Sequence, residues 1–354
     1  MKRRVQHAAS RAAQRGALLI LSLATTALLP SCSQDPAQPP PPTTPVTLSI
    51  PGFPPPAIPS DNPLTEEGIT LGRELFSDPI LSADNTLACA GCHAPEFSFT
   101  DHGERFSEGI DGLRGVRNTP PIINVAWGRA FFLDGRAQSL EMQALEPVTN
   151  PIEMHQSWED ATDKIAAVPR YREMFRLAFG DEDVTKERVT MAIAQFERTL
   201  VSNQSRYDRF LRGEVEFTPE ELRGFNLFFT EKADCFHCHG NILLTDQGFH
   251  DVGLDRLPTD PGRAAVSGQA ADYGRFKTPT LRNVALTAPY MHDARFGTLR
   301  EVVDHYNSGG HDSPNRAVFV RFGTGLLLSE AQIADLLAFL HTFTDSAFVA
   351  EHSR

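Results

Sequence analysis

Two short motifs of the same form constrain this chain more than any other feature of its sequence. Cys89-Ala-Gly-Cys92-His93 and Cys235-Phe-His-Cys238-His239 are both CxxCH. Two thiols at this spacing add to the two vinyl groups of one porphyrin, and the histidine that follows reaches the iron as its proximal ligand. The sequence therefore predicts two covalently bound c-type haems, attached at Cys89 and Cys92 and at Cys235 and Cys238, with His93 and His239 as iron ligands.

Zinc ligation and disulfide formation are the alternative interpretations of these four cysteines. A zinc ribbon places its second CxxC about fifteen to twenty residues after the first, whereas 146 residues separate Cys89 from Cys235. A disulfide inside each CxxC would not need the histidine that follows both pairs. Two haems account for the pattern better than either alternative.

The chain also repeats itself at an offset of 159 residues. Residues 119–126 align with 278–285, and Asp134, Arg136, Ser139 and Leu140 then align without a gap with Asp293, Arg295, Thr298 and Leu299. Residues 72–76 and 224–228 resemble each other in the same way before the two motifs. A duplicated haem domain explains this repeat.

The pattern of apolar residues is helical. Thr65 and Thr218 precede acidic residues and apolar positions at helical spacing, which predicts a capped helix at the start of each repeat, packed beside its haem. Residues 158–210 have the same periodicity, and their aromatic residues are predicted to be core. We therefore expect a mainly α protein with two cytochrome c-like haem domains related by internal duplication, at residues 60–212 and 213–354.

The N-terminal residues predict export. Residues 1–31 combine five basic side chains with an uncharged apolar stretch too short to span a bilayer, and they end before Cys32 in a lipobox-like sequence. Residues 32–59 are rich in proline and predict a stiff tether. We expect a lipoprotein-type signal, lipidation at Cys32 and a location on the periplasmic side, with ordinary cleavage near Cys32 as the alternative.

The charge of the chain argues against one class of partner. Without the five basic residues of the predicted signal, 28 of the 33 basic side chains remain against 45 acidic ones, a net charge of −17. Nucleic-acid binding is therefore not expected. An acidic surface is usually a solvated one, and it could also steer a basic redox partner.

Three further segments, at 131–136, 150–154 and 286–293, together with the two CxxCH motifs, resemble the bacterial di-haem cytochrome c peroxidases and their relative MauG. The resemblance covers about residues 60–345. It implies that peroxide reacts at the N-terminal haem, where Gln143 and Glu153 match the distal glutamine and glutamate of the family. Cleavage of the O–O bond needs a base that takes and returns a proton, which suits Glu153. Gln143 is then expected to orient the peroxide.

The resemblance also implies the state of each iron. Classical members close the first haem with a histidine from a loop before Arg117, but Ile110 and Asp111 occupy that stretch and His102 is out of register. An open first haem is therefore expected. Tyr306 matches the distal ligand of the second haem, which is methionine in peroxidases and tyrosine in MauG-like enzymes. The residue equivalent to Tyr306 in the first repeat is Pro147, which has no ligating atom.

Two further expectations follow from the same resemblance. A calcium ion between the domains is expected to bind the Asn118 side chain and the Thr287 and Pro289 carbonyls, since hard oxygen donors suit this ion. The family usually has tryptophan between its haems, and this chain has Leu133 there. Electron transfer between the haems must then be direct or use another group, with Trp127 and Tyr290 as candidates.

The expected function is that of a peroxide-dependent di-haem oxidoreductase. One hypothesis is a peroxidase that takes electrons from a small cytochrome c or a cupredoxin through the C-terminal haem. A second, favoured by Tyr306, is a MauG-like oxidase that modifies side chains such as tryptophan on a partner protein. A plain electron-transfer cytochrome is the non-enzymatic alternative, and it would have no need of Glu153.

Overall fold

The helices of the first half pack on a helix that begins where the sequence predicts it. In the computed structural model, which describes residues 42–101 and 103–353, α1 runs from Glu66 to Ser77, and the Thr65 side chain accepts a hydrogen bond from the Gly68 amide. Its apolar positions, including Leu71, Leu75 and Phe76, are buried. The predicted signal, Cys32, the tether up to residue 41 and His102 lie outside the described residues.

Twelve further helices follow in the described part of the chain. They are α2 Cys89–Cys92, α3 Leu140–Thr149, α4 Trp158–Ala167, α5 Pro169–Phe179, α6 Lys186–Arg198, α7 Arg206–Leu211, α8 Pro219–Phe228, α9 Phe236–His239, α10 Ala264–Ser267, α11 Leu299–Ser308, α12 Glu330–His341 and α13 Ser346–His352. One antiparallel pair of two-residue strands, β1 Phe249–His250 and β2 Phe276–Lys277, is the sheet found in these residues. The prediction of a mainly α fold is confirmed.

Glycine allows the close packing of the two main helix pairs. A Cβ atom at Gly72 of α1 would overlap the Ala192 carbonyl of α6. In the second half, a Cβ at Gly224 of α8 would overlap the Asp335 carbonyl of α12. The two glycines stand at matching positions of the repeat. In each half, the glycine therefore allows the helix that precedes the CxxCH motif to pack closely against its partner helix.

The two larger hydrophobic cores among the described residues follow the two halves of the chain. The first contains buried residues between Leu71 and Leu200 and one residue of α13, Phe348. The second contains buried residues between Tyr207 and Phe343. Pro40–Arg354 nevertheless form one compact unit. The boundary between residues 212 and 213 stays a prediction.

The 159-residue repeat is visible in the backbone as well as in the sequence. Asn124 and Asn283 are both left-handed, at φ of 54° and 57°, and each precedes a short 3₁₀ helix. Downstream, the bridge between Phe131 and Ala137 matches that between Tyr290 and Phe296. Helices α3 and α11 then begin and end at equivalent residues. The duplication therefore determines where equivalent side chains stand in the two halves.

Among the described residues, no individual helix has both the length and the apolar character to cross a membrane, although α12 and α13, bent by 41°, satisfy both criteria when taken together.

Candidate functional site

The four motif cysteines lie in or directly before short helices and form no disulfide. Cys89 and Cys92 begin and end α2, and all four are free thiols. Burial raises the pKa of Cys89 to about 12 and that of Cys92 to about 11, and it raises the pKa of Cys235 to about 12. These three thiols are therefore protonated at neutral pH, and each pair lies within one turn of chain, as attachment to one porphyrin requires.

Both motif histidines are oriented by a backbone carbonyl. The Nδ1 atom of His93 lies 2.9 Å from the Phe99 carbonyl oxygen, and that of His239 lies 2.7 Å from the Leu244 oxygen. Burial lowers the pKa of both imidazoles, which favours the neutral form. When Nδ1 donates to a carbonyl, Nε2 carries the free lone pair that an iron ligand needs. The equivalent arrangement in the two halves fits two proximal haem ligands.

A cavity of about 270 Å³ opens beside the second motif. Its walls include Cys235, Cys238, His239 and Tyr306, and most of the exposed lining is apolar. An apolar cavity with two thiols and an imidazole on its wall is the donor set and the surroundings that a c-type haem needs. The residues present therefore fit the second haem.

Tyr306 faces this cavity from α11. Burial raises the pKa of its phenol, and among the described residues its hydroxyl has no hydrogen-bond partner. The His305 ring lies 5.3 Å away, centroid to centroid. A buried phenol that shares a cavity with the motif cysteines and has no protein partner is available as an oxygen donor to iron.

Glu153 lies close to the first motif. It is half-buried, and burial raises the pKa of its carboxyl, opposed by a hydrogen bond from Asn150 Nδ2 to Glu153 Oε1 over 2.6 Å. Its charge contributes, after the larger effect of burial, to raising the pKa of both Cys89 and Cys92. A carboxyl of raised pKa next to the haem attachment site has the properties of a general acid–base group.

Gln143 stands one and a half turns before the end of α3, with a half-buried side chain. Within the described residues its side-chain amide makes no hydrogen bond. The same helix carries Pro147, at the position equivalent to Tyr306 of α11. At this position the first half therefore presents a proline where the second half presents a phenol.

The loop at residues 109–111 packs against the Glu153 segment. The Ile110 amide donates to the Glu153 carbonyl over 3.0 Å. The Asp111 carboxylate lies 2.7 Å from Nδ1 of His155. A Cβ atom on Gly109 would overlap the Ile152 carbonyl. Backbone contacts thus hold this loop in place, and neither Ile110 nor Asp111 supplies an imidazole.

The three residues expected to bind calcium, Asn118, Thr287 and Pro289, all line the second cavity. The Asn118 amide donates to the His292 carbonyl over 2.8 Å, which ties the first half to the second at this point. Their oxygens are of the type that calcium prefers.

The two candidates for electron transfer between the haems lie in different places. The Trp127 indole donates to the Pro54 carbonyl over 2.6 Å, and its ring packs 5.1 Å from Phe53. Tyr290 lines the second cavity and donates to the Val284 carbonyl over 2.9 Å. Leu133 lines the same cavity. Of the two aromatic candidates, Tyr290 is the one that lines the second cavity.

Comparisons with known proteins agree with this geometry. A family model described as di-haem cytochrome c peroxidase matches residues 66–216. Methylamine utilization protein MauG of Methylorubrum extorquens AM1 is 43% identical over 289 residues, 80% of each chain. Cytochrome c551 peroxidase of Nitrosomonas europaea is 36% identical over 279 residues, 77% of this chain and 79% of the relative.

A solved structure has the same fold over most of this chain. The crystal structure of a MauG-like protein associated with microbial copper homeostasis superposes with a TM-score of 0.80 at 36% identity, covering 85% of this chain and 96% of the other. This chain belongs to the di-haem cytochrome c peroxidase and MauG family. It is a peroxidase-type di-haem oxidoreductase with two c-type haems.

Three residues at these sites were not predicted from the sequence. Asn150 bonds Glu153, Glu197 is a buried carboxyl of α6 that contributes to raising the pKa of Cys89, and Lys277 lines the second cavity. Asn150 lies in one of the segments that carry the resemblance, which is the signal that could have drawn attention to it. Glu197 and Lys277 have no such signal, because their importance depends on burial and on contacts across the fold.

Proposed function

We propose that hydrogen peroxide is reduced at the first haem, attached at Cys89 and Cys92, and that the second haem passes electrons to it from a donor protein. The observation that carries this proposal is the half-buried Glu153 carboxyl beside the first motif. One of its oxygens accepts from Asn150, and the other has no hydrogen-bond partner among the described residues. A free oxygen on a carboxyl of raised pKa is available to exchange a proton with a bound substrate.

Reduction of peroxide to two water molecules consumes two electrons and two protons. A haem held by Cys89, Cys92 and His93 would supply the binding site for peroxide and the means of holding the oxidising equivalents. Glu153 takes the proton from one peroxide oxygen and returns it to the oxygen that leaves. Gln143, on α3, orients the peroxide through its side-chain amide.

The first haem is proposed to be open in the resting ferric protein. Ile110 and Asp111 stand in the loop that carries the closing histidine in classical members, and Pro147 stands at the repeat position of Tyr306. None of these three side chains ligates iron in the way that imidazole or phenol does. Peroxide then needs no prior reduction of the protein to reach the first haem.

Tyr306 is proposed as the distal ligand of the second haem. Its phenol oxygen has no protein partner within the described residues and faces the cavity of Cys235 and Cys238. An anionic oxygen ligand stabilises ferric and higher iron states, which suits the storage of oxidising power. This observation favours a second candidate function, a MauG-like oxidation of side chains such as tryptophan on a partner protein, and a relative named MauG is 43% identical.

The setting proposed for this chemistry is the periplasm. The predicted signal and lipidation at Cys32 would hold the protein on a bacterial membrane by its lipid alone. A small cytochrome c or a cupredoxin is the proposed donor, and the acidic chain favours a partner with a basic surface.

A calcium ion is proposed at Asn118, Thr287 and Pro289. The three residues line one cavity where the two halves meet, and calcium there would stabilise that contact. Metal analysis of purified protein, before and after dialysis against a chelator, should find one calcium ion that Asn118→Ala loses. Absence of calcium from both proteins would contradict the site.

The test of the proposed function is a titration of the fully ferric holoprotein with hydrogen peroxide. One equivalent should change the Soret band within the mixing time, and a reduced cytochrome c or a partner protein should restore the resting spectrum. A ferric protein that stays inert until one haem is reduced would contradict the open first site and would indicate a ligand such as His102.

A further inference from the structure

Lys277 connects the two halves of the molecule through both its main chain and its side chain. It ends strand β2, and its amide donates to the Leu133 carbonyl over 2.7 Å. Its Nζ atom donates to the Ala130 carbonyl over 2.7 Å and lies 5.7 Å from the centre of the Phe131 ring. A residue of the second half is thereby attached to the segment of the first half that contains Leu133.

The ammonium of Lys277 has no carboxylate partner within ion-pair distance among the described residues. Asp134, the acidic group whose charge affects the pKa of Lys277, is engaged by Arg117 at 2.6 Å and by Arg136 at 3.1 Å. An ammonium has three donors, and Ala130 accepts from only one. Burial lowers the pKa of Lys277 to about 8, which is the effect expected of a cation removed from water without a counter-charge.

The charges around Lys277 leave a positive excess. Arg117 and Arg136 are paired with the carboxylates of Asp134, Asp260 and Glu146. Within the described residues, Arg263 donates only to main-chain carbonyls, those of Asp134 and Gly135. Two cations, Lys277 and Arg263, therefore lack a carboxylate at this contact within the described part of the chain. A buried cation of this kind is stabilised by an anion.

The second haem brings such an anion. Lys277 lines the cavity of Cys235, Cys238 and Tyr306, and Leu133 of the first half lines it too. A haem carries two propionate groups on the edge opposite the vinyl groups, and in a c-type haem the cysteines bind that vinyl edge. The propionates are the carboxylates that this cavity would receive.

We propose that Lys277 binds a propionate of the second haem and so joins that haem to the Leu133 segment of the first half. Lys277 is a positioning residue, because it acts on the haem through the propionate. Its positive charge stabilises the ferrous state relative to the ferric state and raises the potential of the second haem. The proposal rests on the two attached haems and is independent of the reaction with peroxide.

The experiment uses holoprotein, without peroxide, and the variants Lys277→Gln, Lys277→Met and Lys277→Arg. Glutamine keeps a donor for the Ala130 carbonyl and removes the charge, whereas arginine keeps the charge. We expect a lower midpoint potential of the second haem, and shifted propionate modes in its resonance Raman spectrum, in the glutamine and methionine variants. Arginine should restore both readouts toward the wild-type values.

Arg263→Gln is the matched control, since Arg263 also lacks a carboxylate and is not among the residues that line the cavity. It should leave the propionate modes of the second haem unchanged. If Lys277→Gln and Lys277→Met instead lower only the melting temperature and leave the potential and the propionate modes at their wild-type values, Lys277 is a tether between the halves and the proposal is wrong. A normal reaction of these variants with peroxide would not change that conclusion, because the proposal does not depend on the reaction with peroxide.

Discussion

Asn150 donates from Nδ2 to Glu153 Oε1 over 2.6 Å, and this hydrogen bond opposes the effect of burial on the Glu153 carboxyl. Burial favours the protonated acid, and the hydrogen bond favours the carboxylate. Burial is the larger effect, so the pKa of Glu153 stays above its usual value. The same Asn150 side chain accepts from the Ile152 amide over 3.1 Å, so it also fixes the loop that carries Glu153.

Replacement of Glu153 by glutamine should slow the reaction of the ferric protein with peroxide by about a hundred- to ten-thousand-fold, because general acid–base assistance is typically worth that much. Haem content and the resting spectrum should stay nearly unchanged, since the variant removes proton transfer and no ligand. Stopped-flow absorbance measures the rate. The matched control is Glu159→Gln, at an exposed position of α4. A loss below roughly tenfold would argue against Glu153 as the base.

The variant Asn150→Asp tests how Asn150 affects the pKa of Glu153, through the pH dependence of the reaction with peroxide. Aspartate keeps an oxygen for the Ile152 amide, but it replaces the donor to Glu153 by a like charge, which raises the Glu153 pKa further. A base acts in its deprotonated form, so the rate falls as the pH falls through its pKa. We expect the acidic limb of the profile for the second-order rate constant to move to higher pH. An acidic limb at the wild-type position would mean that another group controls it.

Tyr306→Phe removes the phenol oxygen with little change of shape. The ferric absorption and EPR signals of the second haem should change, and Tyr306→Met should raise its midpoint potential. Tyr290→Phe is the control, because Tyr290 lines the same cavity but donates to the Val284 carbonyl. Its ferric signals should match the wild type. Unchanged signals in Tyr306→Phe would show that another residue ligates this iron.

Glu197 makes stability depend on pH. Burial raises the pKa of Glu197 from 4.5 to about 8, and among the described residues its Oε2 atom has no hydrogen-bond partner. The folded protein therefore holds a proton that the unfolded chain releases, so this contribution to stability is present below pH 4.5 and is lost as the pH rises to about 8.

Glu197→Gln should consequently gain stability relative to the wild type across that range, on the order of a few kcal/mol by pH 8. Melting temperatures of both proteins between pH 4.5 and 8.5 measure the difference. Glu187→Gln, at an exposed position of the same helix, should show no such trend. Parallel curves for wild type and Glu197→Gln would contradict a buried neutral acid.

The two haem sites and the internal duplication were determined by the sequence alone. Cys89, Cys92 and His93 lie within five residues, so the chemistry of attachment needs no tertiary contact to be recognised. The same holds for the Thr65 cap, because a hydroxyl before acidic residues acts on amides three positions away. The 159-residue repeat also aligned Ser139 with Thr298 and Leu140 with Leu299, and the structure shows that α3 and α11 begin at these equivalent residues.

Only the tertiary structure decided which distant side chains share a site. Lys277 and Leu133 are 144 positions apart, and their hydrogen bond depends on how the two halves pack. The excess of positive charge at that contact, the burial of Glu197 and the sharing of one cavity by Asn118, Thr287 and Tyr306 have the same origin. Burial and charge pairing depend on how the whole chain packs, so a local pattern of residues does not predict them.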